Sequence, residues 1–186
     1  MPGTDQLIAL PPEKHNISIT EVDLLVAEEK RISEHNVPDT DLLLSAVDFF
    51  RTHADRCHHG KEEAILFVEL ESKSLAPEHQ KIVDELKEEH TIARANIRRL
   101  VAARQRLLEE KNGAAQEIQE ILGILTALYP VHIEKVDRHF FLPVMDYFTK
   151  KEQMDILERF REFDERLIHR VYGDIVVHHE KVSSGT

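Results

Sequence analysis

Apolar residues recur along this chain at intervals of three and four, the spacing of one helix face, and five stretches carry that rhythm. The first is Ile19, Val22, Val26 and Lys30, flanked by Leu25 and Ile32 and ending near Asn36-Val37-Pro38. The second, from about 40 to 72, opens on the caps Asp39 and Thr40 and carries Leu43, Val47, Phe50, Ala54 and Ile65 on one face. Pro77 suits the first turn of a third helix, about 78 to 111, with Ile82, Leu86, Ala93, Ile97, Leu100 and Leu107 on its face. Asn112-Gly113 supplies a left-handed stop. A fourth helix, about 114 to 148, shows Ile118, Ile121, Leu125, Leu128 and Val136, with Pro130 and Pro143 as sites of local distortion. A fifth, about 151 to 178, offers Met154, Leu157, Phe160 and Leu167. The pattern predicts an all-α protein: an antiparallel up-down four-helix bundle over residues 19–150, an N-terminal arm over 1–18, and an additional C-terminal helix with a frayed tail over 151–186.

Three of these faces are interrupted by the same residue type. His58 follows Ala54 by four, His90 follows Leu86 by four, and His132 follows Leu128 by four. Glu62 stands four after His58, about one turn along the same stripe. Inward groups of a bundle meet near mid-height, and an apolar core has no use for three imidazoles and a carboxylate. Burying a carboxylate costs several kcal/mol unless a cation or hydrogen bonds compensate. Neutral imidazole with carboxylate suits Fe, Zn or Mn, and an open set of two histidines and one carboxylate is characteristic of non-haem Fe(II). His59 and Glu63 sit one step round, on the rim, where they are either solvated or help to hold the ligands.

Composition narrows the picture. The 186 residues suit one domain, and twelve histidines are the main excess. A net charge of -11 with no basic stripe argues against nucleic acid or anionic membrane as partner. No run of eighteen apolar residues offers a membrane span, and Met1-Pro2-Gly3-Thr4-Asp5 lacks the basic-then-apolar pattern of a signal peptide. The single cysteine, Cys57, excludes an intramolecular disulfide and fits a reducing cytoplasm.

The segments His58-His59-Gly60-Lys61-Glu62-Glu63-Ala64-Ile65-Leu66-Phe67, Glu88-Glu89-His90 and Tyr129-Pro130-Val131-His132-Ile133-Glu134-Lys135-Val136-Asp137 resemble a hemerythrin-like (HHE cation-binding) domain. That resemblance implies a four-helix bundle around a non-haem, usually di-iron, site, with His58, Glu62, His90, His132 and an acidic residue after His132 as metal ligands. It also implies O2 or another small diatomic molecule as the ligand, and in some relatives peroxide chemistry or iron–sulfur repair.

The chain departs from the family pattern in its first, third and fourth helices. Where the first helix of relatives carries a histidine, Glu29-Lys30-Arg31 places a lysine, and where some relatives carry a second histidine after His90 stands Arg94. The position four after His132 is Val136, which leaves Asp137, about 140° round a regular helix. Asp137 reaches the site only through a local irregularity of the helix; otherwise it faces solvent. An ammonium has no lone pair for a metal. Lys30 therefore either occupies the place of a second ion, reducing the site to one metal, or carries its amine to solvent along an apolar stem.

The expected function is a cytoplasmic non-haem iron protein, with one ion or two, that binds or senses O2, another small ligand or redox state. An iron enzyme or repair protein, and a metal-free interaction bundle, are the alternatives. No phosphate loop or Ser-His-Asp arrangement is legible, no catalytic residue is assigned, and binding is expected over catalysis. The fifth helix is expected either on the outside of the bundle or in a homodimer contact.

Overall fold

A computed structural model describes the backbone of residues 12–183 and the side chains of residues 20–168. Five long helical runs follow one another, with no strand among the described residues. α1 is Pro12–His35 and stops at Asn36, whose positive φ of 54° is a left-handed cap. α2 starts at Thr40 because the Asp39 carboxylate accepts from the backbone N–H groups of Asp41 and Leu42, each at 3.0 Å. It is α-helical over Thr40–Phe49, π-helical over Phe50–His59 and again over Glu62–Leu66, and closes with Phe67–Glu71. α3, Pro77–Leu108, is α-helical throughout. α4 runs α-helical over Ala114–Glu134, turns π-helical over Lys135–Phe140 and ends with Phe141–Met145. α5 is Lys150–Ser183.

Some boundaries differ from the sequence reading. Of the arm expected over 1–18, residues 1–11 lie outside the described residues and residues 12–18 belong to α1. α3 ends at Leu108, and Gly113, with φ of 82°, sits immediately before α4 rather than capping α3. The distortion of α4 begins at Lys135, five residues beyond Pro130, which is accommodated within regular helix.

Cross-helix contacts fix how the runs lie. Along α3 in ascending order, Glu85 meets Lys135, Glu89 meets His132, Arg99 meets Glu120 and Arg106 meets Glu117, a descending order along α4. Glu29 of α1 and Asn36, just beyond its end, meet Thr126 and Gln116 of α4. Arg104 donates to the Thr40 carbonyl, and Arg94 to Asp55.

Two apolar cores result. One gathers Leu25, Leu43, Phe50, Leu100, Ile118 and Leu125. The other gathers Leu66, Phe67, Leu86, Phe140, Val144 and Phe160. Each such side chain contributes about 1.5–3 kcal/mol on full burial. On α2 the boundary between cores falls between Ala54 and Ile65, on α3 between Leu86 and Ala93, and on α4 between Tyr129 and Val136. His58, His59, Glu62, His90 and His132 all stand in these three gaps.

α5 packs on α2. Its buried face is Ile156, Phe160 and Leu167, with Phe163 half-buried, while Met154, expected inside, is 59% exposed. The Lys61 ammonium, itself buried, reaches Asp164 at 2.8 Å, and Lys73 reaches Glu152 at 2.7 Å. Gly60 permits the approach: a Cβ there would come within 2.9 Å of the Phe163 ring. Among the described residues no helix is long and apolar enough to cross a membrane.

Candidate metal centre

The polar layer between the cores is nearly closed to solvent. Exposure is 2% at His59, 3% at Glu62, 0% at His90 and 4% at His132. Donor atoms of His59, His90 and His132 lie within 4.8 Å of one another, as do those of His58, Glu62 and His132.

His90 and His132 are each held by the nitrogen that points away from the cluster. Nδ1 of His90 is 2.7 Å from Glu63 Oε1, and Nδ1 of His132 is 2.9 Å from Glu89 Oε2. Both carboxylates are ionised: burial works against the charge, but Arg94 and His90 at Glu63, and His132 and Lys135 at Glu89, outweigh it and lower both pKa values. An ionised carboxylate only accepts, so each Nδ1 carries a proton toward it, which leaves Nε2 of each ring facing the cluster as the atom that can give a lone pair to a metal. The carboxylates are anchored in turn. Arg94 donates to Glu63 Oε2 at 3.0 Å and to Asp55 Oδ1 at 2.6 Å. Lys135 donates to Glu89 at 2.5 Å and to Glu85 at 2.7 Å.

At the centre sits Glu62. Burial would push its pKa up, but the imidazoles of His58, His90 and His132 outweigh that and hold it well below the usual carboxylate range. His58 Nε2 is 3.5 Å from Glu62 Oε1, and His90 Nε2 is 3.2 Å from Glu62 Oε2. Neither Glu62 oxygen has a hydrogen-bond partner, nor have His90 Nε2, His132 Nε2 and His59 Nδ1. A lone pair facing a carboxylate at 3.2 Å is repulsive unless a proton or a cation stands between them. For His90 burial opposes protonation, yet Glu62 and Glu63 on either side raise its pKa, so a proton can take that place when no metal does.

Magnitude decides what the layer is for. An unsatisfied buried polar group costs about 1–3 kcal/mol. Five such atoms together cost on the order of 5–15 kcal/mol, comparable with the whole net stability of a domain. A cation at the centre satisfies the four on Glu62, His90 and His132, while the fifth, His59 Nδ1, lies 3.6 Å from Asp55 Oδ1; the donor types fit a first-row transition metal.

The structure brings His58, Glu62, His90 and His132 together and adds His59, which the sequence reading left on the rim. The reason is the π-type turn: from buried Ala54 the next core-facing residue is five along, not four, and that is His59. Burial lowers the His59 pKa to about 4, with Asp55 opposing, so the ring is neutral and available as a donor. His58 keeps 18% side-chain exposure, at the edge of the cluster. Glu63 acts on His90, as the rim position allowed. Arg94, which stands where some relatives carry a second histidine, anchors Asp55 and Glu63.

Lys30 is corrected. It is exposed, because the buried register of α1 is Val22, Leu25, Glu28 and Ile32, and Lys30 lies five beyond Leu25, about 140° round. It does not stand beside Glu62. Asp137 is also exposed, on the outer side of α4 near Val22 and Pro130, because Val136 takes the core position four after His132.

The family model of the hemerythrin HHE cation binding domain matches residues 19–144, a span that contains every donor named above. Searches of curated proteins and of solved structures gave no match. With two-thirds of its length matched by the family model, this chain belongs to the hemerythrin HHE cation-binding domain family.

Proposed function

We propose that this protein is a cytoplasmic non-haem iron protein that binds or senses O2 or another small diatomic ligand at a single iron ion. His58, His59, Glu62, His90 and His132 would hold the ion, within an antiparallel up-down four-helix bundle formed by α1 to α4. The observation that carries the reading is the pair of imidazoles clamped at Nδ1 with their Nε2 lone pairs turned on an unpaired buried carboxylate. The opposed order of contacts along α3 and α4 supports the bundle. Iron supplies a centre to which a small ligand binds reversibly.

One ion is favoured over two by His132. It belongs to both donor groups, and with Nδ1 committed to Glu89 it has one lone pair to give. Five donors at most leave a position for an outside ligand. Binding is favoured over catalysis because the carboxylates around the cluster are already engaged: Asp55 and Glu63 with Arg94, Glu89 with Lys135. None is left as a general base.

The test is nitric oxide, then O2, added to anaerobically Fe(II)-loaded protein and followed by electron paramagnetic resonance and absorption. A stoichiometric response that His132→Ala abolishes is expected. An iron-loaded protein silent to both gases would overturn ligand binding as its role.

A further inference from the structure

Beside the widened part of α2 lies a cavity of about 440 Å³, between α2 and α3. Its walls divide by chemistry. Phe50, Ile97 and Tyr129 are each at most 5% exposed and form an apolar floor, with His59 beside them. Arg51, Arg56 and Arg98 are exposed and stand at the mouth.

Charge there runs against the rest of the molecule. Four arginines, Arg94 included, face two aspartates, in a chain of formal net charge -11. Asp55 is tied to Arg94 at 2.6 Å, which leaves Asp48 alone opposite the three mouth arginines. Among the described residues none of those three has a carboxylate within ion-pair distance, although the chain has 35 acidic residues against 24 basic ones. Three guanidinium groups without a protein carboxylate partner stand around one opening, with donors available to an anion from outside. The floor is built by ring packing: Tyr129 is 4% exposed and its ring centroid is 4.5 Å from that of Phe50.

Size and lining select the anion. At about 30 Å³ per water, the cavity has room for on the order of ten to fifteen non-hydrogen atoms. Phosphate or nitrite would satisfy the mouth and leave the apolar floor empty. A short organic acid satisfies both. We propose that this cavity is a binding site for a small organic monocarboxylate, its carboxylate held by Arg51, Arg56 and Arg98 and its apolar body laid on Phe50, Ile97 and Tyr129, next to His59. The site is distinct from the metal cluster in what it recognises, and it needs no metal to form.

Benzoate is the probe, with benzamide as its uncharged isostere and inorganic phosphate as the small anion. Each is titrated calorimetrically into the full chain at low ionic strength, once metal-stripped and once Fe(II)-loaded. Benzoate should bind one per chain in both forms, with benzamide and phosphate each about tenfold weaker or more. Arg51→Gln with Arg98→Gln should weaken benzoate about tenfold or more, leaving circular dichroism and metal content unchanged, since both side chains are exposed. Benzamide binding as well as benzoate, phosphate binding as well as benzoate, or a double variant that binds like the parent would each overturn the proposal. Benzoate binding confined to the iron-loaded form and indifferent to the arginine variants would place the carboxylate on the metal and overturn it too. Failure of the chain to take up iron would leave the metal-stripped titration, and this proposal, standing.

Discussion

α2 and α3 face each other across the polar layer and deliver their donors by different backbones. α3 is regular from Pro77 to Leu108 and turns a single donor, His90, into the centre, with Leu86 and Ala93 packed on either side of it. α2 loosens into π-type turns at Phe50 and supplies three donors, His58, His59 and Glu62, within five residues. A strict α-helix brings the residue four after Ala54, His58, onto its face. The widened turn puts His59, five after Ala54, on the buried side instead and leaves His58 at the edge, and π-type turns are found mostly where function uses them. The regular helix therefore provides a fixed wall, and the irregular one gathers the ligands.

The largest effect should come from the centre of the irregular segment. Glu62→Ala removes the carboxylate that, among the described residues, is the only one in the donor groups, and should weaken iron binding well beyond the 10–100-fold typical of the groups behind the ligands, measured by competition with a chelator. Next is the contrast within α2 itself. His59→Leu should lower iron affinity at least as much as His58→Leu, because His59 is the more buried of the two and stacks on His90 at 3.8 Å. If His59→Leu retains iron like the parent while His58→Leu does not, α2 uses the regular register and the widened turn has no ligand role. Glu63→Gln and Glu89→Gln remove the charge that orients His90 and His132 and should each cost about 10–100-fold, with all donors still present. Lys30→Ala and Asp137→Asn should change iron content and affinity by less than about twofold, since both side chains are exposed away from the cluster; a second iron gained by Lys30→His would restore the role first assigned to Lys30.

Regular helix made much of this legible from sequence. His90 and His132 interrupt apolar stripes on α-helical backbone, so counting by four found them, and Asp39 and Pro77 marked helix starts by local chemistry that tertiary packing did not change. Where the backbone departs from 3.6 residues per turn, counting by four fails, and His59 was the result. α1 failed for another reason. Its residues support two stripes, one through Val26 and Lys30 and one through Leu25 and Ile32, and long-range contacts choose between them. Glu28 is drawn inside to accept the Asp39 N–H at 2.7 Å and Arg31 at 2.8 Å, while Val26 is left 48% exposed. α5 shows the same ambiguity, resolved by Phe160 joining the second core and Asp164 meeting Lys61. The anchoring roles of Glu89, Arg94 and Lys135 depend on partners 31 to 46 residues away and have no local signature.

Metal analysis of untagged protein, loaded anaerobically with Fe(II) and freed of loosely held ions, tests the single shared centre most directly. One tightly held iron per chain, lost together with its spectroscopic signal in His132→Ala, is the expected result, because both donor groups depend on the one free nitrogen of His132. Two tightly held irons per chain, or iron retained at parental affinity without His132, would contradict it.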